Sequence, residues 1–249
     1  MLKINLIVML VLCGICDICS GSLPPEVNRC KVSDNVCIAK AINDVIRLYP
    51  KGNPAFGLID LSQIKQEKLI ISENTKEQSS LNIHLILKNV IVSGVENTKV
   101  IAVSGFDPNI SKIVVNLEML NLKLNGDYEV DGSILLLQLK GQSKAELKIM
   151  RSTCKLMADV KLEEINGKNY LVVKRVKVDF QPQDFHIRLD NLFDGNEELT
   201  DIVNETINKN WRDFWAELHN NINQAFAEIV RNVTAKVFEK LSYNDFYIN

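Results

Sequence analysis

The sequence predicts an α+β fold: a long C-terminal helix wrapped by a highly curved antiparallel β-sheet, with a short helix near the N-terminus. Three patterns predict it. Apolar residues recur with period two through the middle of the chain, as in "SLNIHLILKNV" and "KIVVNLEML", which marks strands with one apolar and one wetter face. The C-terminal segment runs from Glu197 to about Leu241 without Gly or Pro, enough for a helix of roughly 60 Å at 1.5 Å per residue. Along that run the apolar positions advance mostly in steps of four, from Leu199 and Val203 through Trp211, Trp215 and Phe226 to Val233, Val237 and Leu241. Such a stripe outruns the 3.6-residue turn and rotates by roughly 200° from end to end. A helix on a flat surface keeps one face; a winding stripe matches an enclosing, curved sheet.

Taken in order, the chain opens with "MLKINLIVMLVLCGICDICSGS", a Lys, an apolar run and small residues, the layout of a secretory signal peptide. Its apolar core is shorter than the roughly 20 residues a membrane-spanning helix needs. Residues 1–22 are therefore expected to be a leader, and 23–249 a secreted, extracellular domain. Three of the six cysteines fall in the leader. In an oxidising compartment the remaining pair of near neighbours, Cys30 and Cys37, is expected to form a disulfide, leaving Cys154 as a buried free thiol. Next, "SDNVCIAKAINDVIRLYP" reads as a capped amphipathic helix with Val36, Ile42 and Ile46 at helical spacing, and "PKGNPAFGLIDLS" ends it with breakers.

From about Leu69 to Leu189 the strands follow, joined through expected turns at "NGD", "VDGS" and "INGKN". Together they make one large sheet whose apolar face needs a cover. The breaker-free C-terminal run supplies it. Asn196 is a plausible cap for that helix after the loop residue Gly195.

Chemistry is harder to find. Lys plus Arg number 29 against 31 Asp plus Glu, a net charge of -2 with the signs interspersed, so nothing favours nucleic acid or an anionic membrane surface. No nucleophile elbow, phosphate loop, dinucleotide fingerprint or zinc-protease motif is present. The three histidines, His84, His186 and His219, lie far apart in sequence, and neither a metal nor another cofactor is expected. The expectation is a protein that is not an enzyme. Sequons occur at Asn109, Asn204 and Asn232; the last two project off the apolar stripe of the helix, and all three are candidate glycosylation sites. The concentrated apolar capacity is Trp211, Phe214, Trp215, Leu218, Ile222 and Phe226 on the helix, facing strand residues such as Leu117 and Met119. Residues of these types fill a solid core or line a cavity equally well, and the sequence does not separate the two.

The order of motifs resembles the insect takeout family, related to juvenile hormone-binding proteins. The residues that carry the resemblance are Cys30-x6-Cys37, "GNPAFGLIDLSQI", Gly126-x-Tyr128-x-x-x-Gly132 and "LDNLFDGNEELTDIVNETINKNWRDFWAEL". Three departures accompany them: "LIDLS" lacks the family's common Pro, Asn220 stands where many members have Pro, and Cys154 has no mate for the second disulfide of the hormone-binding relatives. The resemblance implies a tubular lipid-binding fold with a hydrophobic tunnel, lined by the helix and strand residues just named. It also implies a carrier for a small lipophilic ligand such as a terpenoid or fatty acid derivative. The alternative from another class is a secreted glycoprotein that acts by surface recognition of a receptor or partner, its interior solidly packed.

Overall fold

The structure, a computed structural model, describes residues 22–72, 81–134 and 137–248. The expected leader lies outside them except for Ser22. Helix α1 (Asn35–Leu48) is capped by Asp34, whose carboxylate accepts from the Cys37 N–H at 3.0 Å. Its buried face carries Ile38, Ile42 and Ile46, while Val36, expected on the apolar stripe, is 83% exposed. The Cys30–Cys37 disulfide is formed, and Cys30 also pairs with the C-terminal segment through a bridge to Tyr247. The segment around Cys30 and the C-terminal segment around Tyr247 are thereby tied to the start of α1. In the connection after α1, a short 3-10 turn (Pro54–Phe56) buries Phe56. It ends on Gly57 at φ 76°, where a Cβ would stand 2.2 Å from the Lys236 carbonyl oxygen. Only glycine lets that loop lie against the C-terminal helix.

Seven strands form one antiparallel sheet: β1 (Ile64–Ser72), β2 (Leu81–Ser93), β3 (Lys99–Ser104), β4 (Lys112–Ile134), β5 (Leu137–Ile165), β6 (Lys168–Pro182) and β7 (His186–Leu189). The order is β1-β2-β4-β5-β6, with β3 on β4 and β7 on β5. β4 and β5 are paired from Lys112 opposite Asp159 to Ile134 opposite Leu137. Strands of 23 and 29 residues would extend roughly 75 and 95 Å if straight, at about 3.3 Å per residue, so twist and bulges must curl them. Register shifts mark the bends, between Lys88 and Ile91 of β2 and between Asp159 and Val160 of β5.

Two expected turns are corrected here. "NGD" and "VDGS" lie inside β4, not between strands. Gly126 sits opposite the β2 bulge, where a Cβ would come within 2.8 Å of the Lys88 carbonyl oxygen; glycine serves a close strand approach there, not a reversal. "INGKN" is the turn it was expected to be. Asn166 and Gly167 both take positive φ between the paired Ile165 and Lys168, as a two-residue hairpin demands.

The C-terminal run is helical throughout but is not one helix. It divides into α2 (Glu197–Lys209), capped by Asn196, and α3 (Trp211–Lys240). Asn210 leaves helical geometry, and its side-chain amide donates to the Thr206 carbonyl at 2.9 Å, the competition with the backbone that makes Asn a poor interior residue. Beyond the joint, α3 runs unbroken through Asn220 for about 45 Å. It packs chiefly on β6 and β1, the two ends of the principal strand order. That contact pair is what makes the sheet a wrap around the helix.

Asparagine side chains fasten helices to strand edges. The Asn204 amide accepts from the Leu189 N–H and donates to the Leu189 carbonyl, both at 2.9 Å. Asn208 treats Ile187 in the same way at 2.8 and 2.9 Å, and Asn43 of α1 treats Val100 of β3 so. Each amide stands in for a neighbouring strand and satisfies edge groups that burial would otherwise orphan.

These contacts bury one of the candidate glycosylation sites. Asn204 is 3% exposed and its amide is held by Leu189, which corrects its expected outward position; a helical wheel places it off the apolar stripe but cannot register a strand edge packed there. Asn109, in a turn, and Asn232, on α3, are exposed. Enzymatic deglycosylation followed by peptide mass spectrometry of secreted protein should find deamidated Asn109 and Asn232 and unmodified Asn204; glycan on Asn204 would contradict the edge contact. Asn204→Ala should lower unfolding free energy by about 2–4 kcal/mol in urea titration, the cost of leaving two buried backbone groups unpaired.

Candidate functional site

The second half of α3 leaves space inside the wrap. Side chains facing the sheet shrink along the helix: Trp211, Phe214, Trp215 and Leu218 come first, and Val230, Val233, Thr234 and Val237 follow after Phe226. Where they are large the interior is filled. Between Phe226 and Phe238, where most of them are small and β-branched, a cavity of about 380 Å³ remains.

Its walls come from every layer of the fold. Ile38, Ile42 and Ile46 of α1 form one side, and Ile113, Val115, Leu117 and Met119, alternate residues of β4, form another. Cys154 and Leu156 of β5, with Val173, Val176 and Val178 of β6, continue the sheet wall, and Phe226 to Phe238 supply the helix wall. Phe246 and Tyr247 reach it from the C-terminal segment. Alternation on β4 and β6 delivers one face of each strand to the space, and α1 closes it with the stripe that begins at Ile38.

Among the described residues lining the cavity, none carries a formal charge, and the polar side chains are few: Asn28, Thr98, Thr234 and Tyr247. The Thr234 hydroxyl is spent on the Val230 carbonyl at 2.8 Å. Cys154 is a free, buried thiol. Burial above all, and secondarily the charge of Asp179, pushes its pKa up to about 12, so it is an inert apolar wall element at neutral pH.

The sequence-derived lining set divides. Leu117, Met119 and Phe226 border the cavity, whereas Trp211, Phe214, Trp215, Leu218 and Ile222 do not. Ile222 is core, and Phe214 and Leu218 pack against the same buried cluster. Trp215 lies against Phe180 and Phe185, and Trp211 stacks on Phe185. The physical reason is bulk: indole and phenyl groups fill the tube in the first half of α3. The wall residues that sequence reasoning missed are those of α1 and β6 and the valines of late α3. Their signal was present as the Ile38, Ile42 and Ile46 spacing and the alternation in "YLVVKRVKVDF", without anything to say that the space between them stays open. Among the described residues no group of three His, Cys, Asp or Glu could hold a metal ion, and no helix is long and apolar enough to cross a membrane.

Comparison with known proteins follows the same lines. The family model described as haemolymph juvenile hormone binding protein matches residues 7–248. Two similar proteins, the circadian clock-controlled protein daywake of Drosophila yakuba and that of Drosophila melanogaster, are each 23% identical over 235 residues, covering 92% of this chain and 89% of the relative. The crystal structure of Epiphyas postvittana Takeout 1 matches with a TM-score of 0.72 at 21% identity, over 90% of this chain and 100% of that one, so the two share a fold. With the family match running across nearly the whole sequence, the chain belongs to the haemolymph juvenile hormone binding protein family, the relationship its takeout-like motifs predicted.

Proposed function

We propose that the protein is a secreted carrier that holds a small, uncharged lipophilic molecule, such as a terpenoid or a fatty acid ester, in the cavity between α1, the sheet and the second half of α3. The observation that carries the reading is the cavity itself, about 380 Å³, within the roughly 300–1,000 Å³ typical of small-molecule sites. Burying about a dozen methylenes at about 0.8 kcal/mol each favours binding by on the order of 10 kcal/mol. Association then costs several kcal/mol, which leaves micromolar to nanomolar affinity.

The absence of a charged wall residue selects among ligands. Among the described residues a carboxylate in this space finds no cation to pair with, and an unpaired buried charge costs several kcal/mol or is neutralised by a raised pKa. Neutral esters, alcohols and ketones carry no such penalty. Secretion is supported by the apolar leader pattern, by the disulfide and by the haemolymph proteins for which the family is named. The open interior weighs against the alternative of a filled core acting through its surface alone.

Extraction of protein purified from its native source, with mass spectrometry of the extract, should recover a neutral apolar compound in near-stoichiometric amount. In displacement of a fluorescent apolar probe at neutral pH, a methyl ester should bind at least ten-fold more tightly than the free acid of equal chain length. The acid should gain affinity as pH falls through its own pKa, because protonation removes the buried charge. Equal affinity of acid and ester across pH would contradict the neutral-ligand reading, and failure of every apolar class to bind would remove the carrier. Cys154 offers an independent readout: at pH 8 its thiol should resist iodoacetamide in the folded protein and react fully in denaturant. Rapid labelling of the native protein would place it outside the wall.

A further inference from the structure

Phe226 borders the cavity on α3, and the helix contributes no wall residue before it. Its ring stacks on Phe180 of β6 with centroids 4.9 Å apart and planes 13° from parallel. Phe180 is completely buried. Behind this pair the interior is occupied by further rings, Trp215 at 5.9 Å from Phe180, then Phe185 at 6.1 Å from Trp215, then Trp211 at 6.3 Å from Phe185. What ends the cavity is therefore a column of side chains within the wrap; neither the helix nor the sheet ends there.

We infer that the Phe226–Phe180 pair is the end wall that sets the greatest ligand length the protein accepts. This rests on the carrier reading above. The two rings are held on rigid elements, and one contact fixes their relative position: the Asn223 side-chain carbonyl, one turn before Phe226, accepts from the Phe180 N–H at 3.1 Å. A stacked pair of this kind, backed by Trp215 against Phe180, resists displacement by a flexible chain. A ligand that fills the cavity gains from each added methylene until it meets Phe226, and the next methylene finds no room. Removing the Phe226 ring opens volume continuous with the cavity along the axis of α3, and the length limit moves outward. Asn223 is a positioning residue for that wall.

The test is a series of straight-chain methyl esters of increasing length, each displacing a fluorescent apolar probe from the full mature protein. With the wild type, affinity should rise by about four-fold per methylene, the equivalent of the usual burial increment, up to a sharp limit, and fall beyond it. In Phe226→Ala the limit should shift to esters longer by several carbons, and in Phe226→Leu by fewer, with shorter esters bound no better than by the wild type. Val233→Phe, which adds bulk inside the cavity, should move the limit the other way. Urea unfolding identifies variants that are folded, and Phe226→Leu and Val233→Phe keep the comparison informative where the alanine variant does not fold. A folded Phe226 variant with the wild-type limit overturns the inference and leaves the carrier reading intact; a wild type that binds no ester of any length overturns both.

Discussion

The structure depends on the length of the ladder between β4 and β5. Two strands paired from Lys112–Asp159 to Ile134–Leu137 cannot remain flat over that span, because the right-handed twist of each residue pair accumulates. Bulges on β2, β3 and β6 relieve the register as the sheet bends. Once curled, the sheet presents an apolar concave face longer than any single side chain can cover, and only an element of comparable length fills it. α3 is that element. Its contacts with β6 and β1 together close the wrap.

Wrapping creates a second requirement, since the short strands β3 and β7 end at edges that helices cover. Backbone groups at a covered edge lose water and need partners. Asn43, Asn204 and Asn208 supply them, while Asn223 makes a related contact to Phe180. A helix side chain thus completes the sheet and at the same time fixes the helix's position along it. The same arrangement joins stability to function, because the position of α3 along the sheet decides which of its side chains meet the aromatic column and which border the cavity.

Much of the architecture was legible in the sequence because it rests on periodicity. Ile113, Val115, Leu117 and Met119 could share one face only in a strand, and the absence of breakers after Glu197 left only helix. What escaped depends on contacts between distant residues. Gly126 at a bulge and Gly167 at a hairpin look alike in a string of letters; the nearness of Lys88 distinguishes the first. Asn204 sits where a helical wheel predicts solvent, and only the position of β7 buries it. Asn210 is an ordinary helical residue by spacing until its amide turns to Thr206. The division of the apolar list into filler and wall follows from side-chain volume along α3, with Phe226 at the boundary. That gradient was visible, but its meaning required the sheet's curvature.

The central claim is that the space between α1, β4, β6 and the second half of α3 is open and receives an apolar molecule. A crystal structure of the protein soaked with a bromine-terminated alkyl ester, with data collected at the bromine absorption edge, tests it most directly. The account predicts an anomalous peak enclosed by Ile42, Met119 and Val233. Side-chain density filling that volume, with bromine found only on the outer surface, would contradict it.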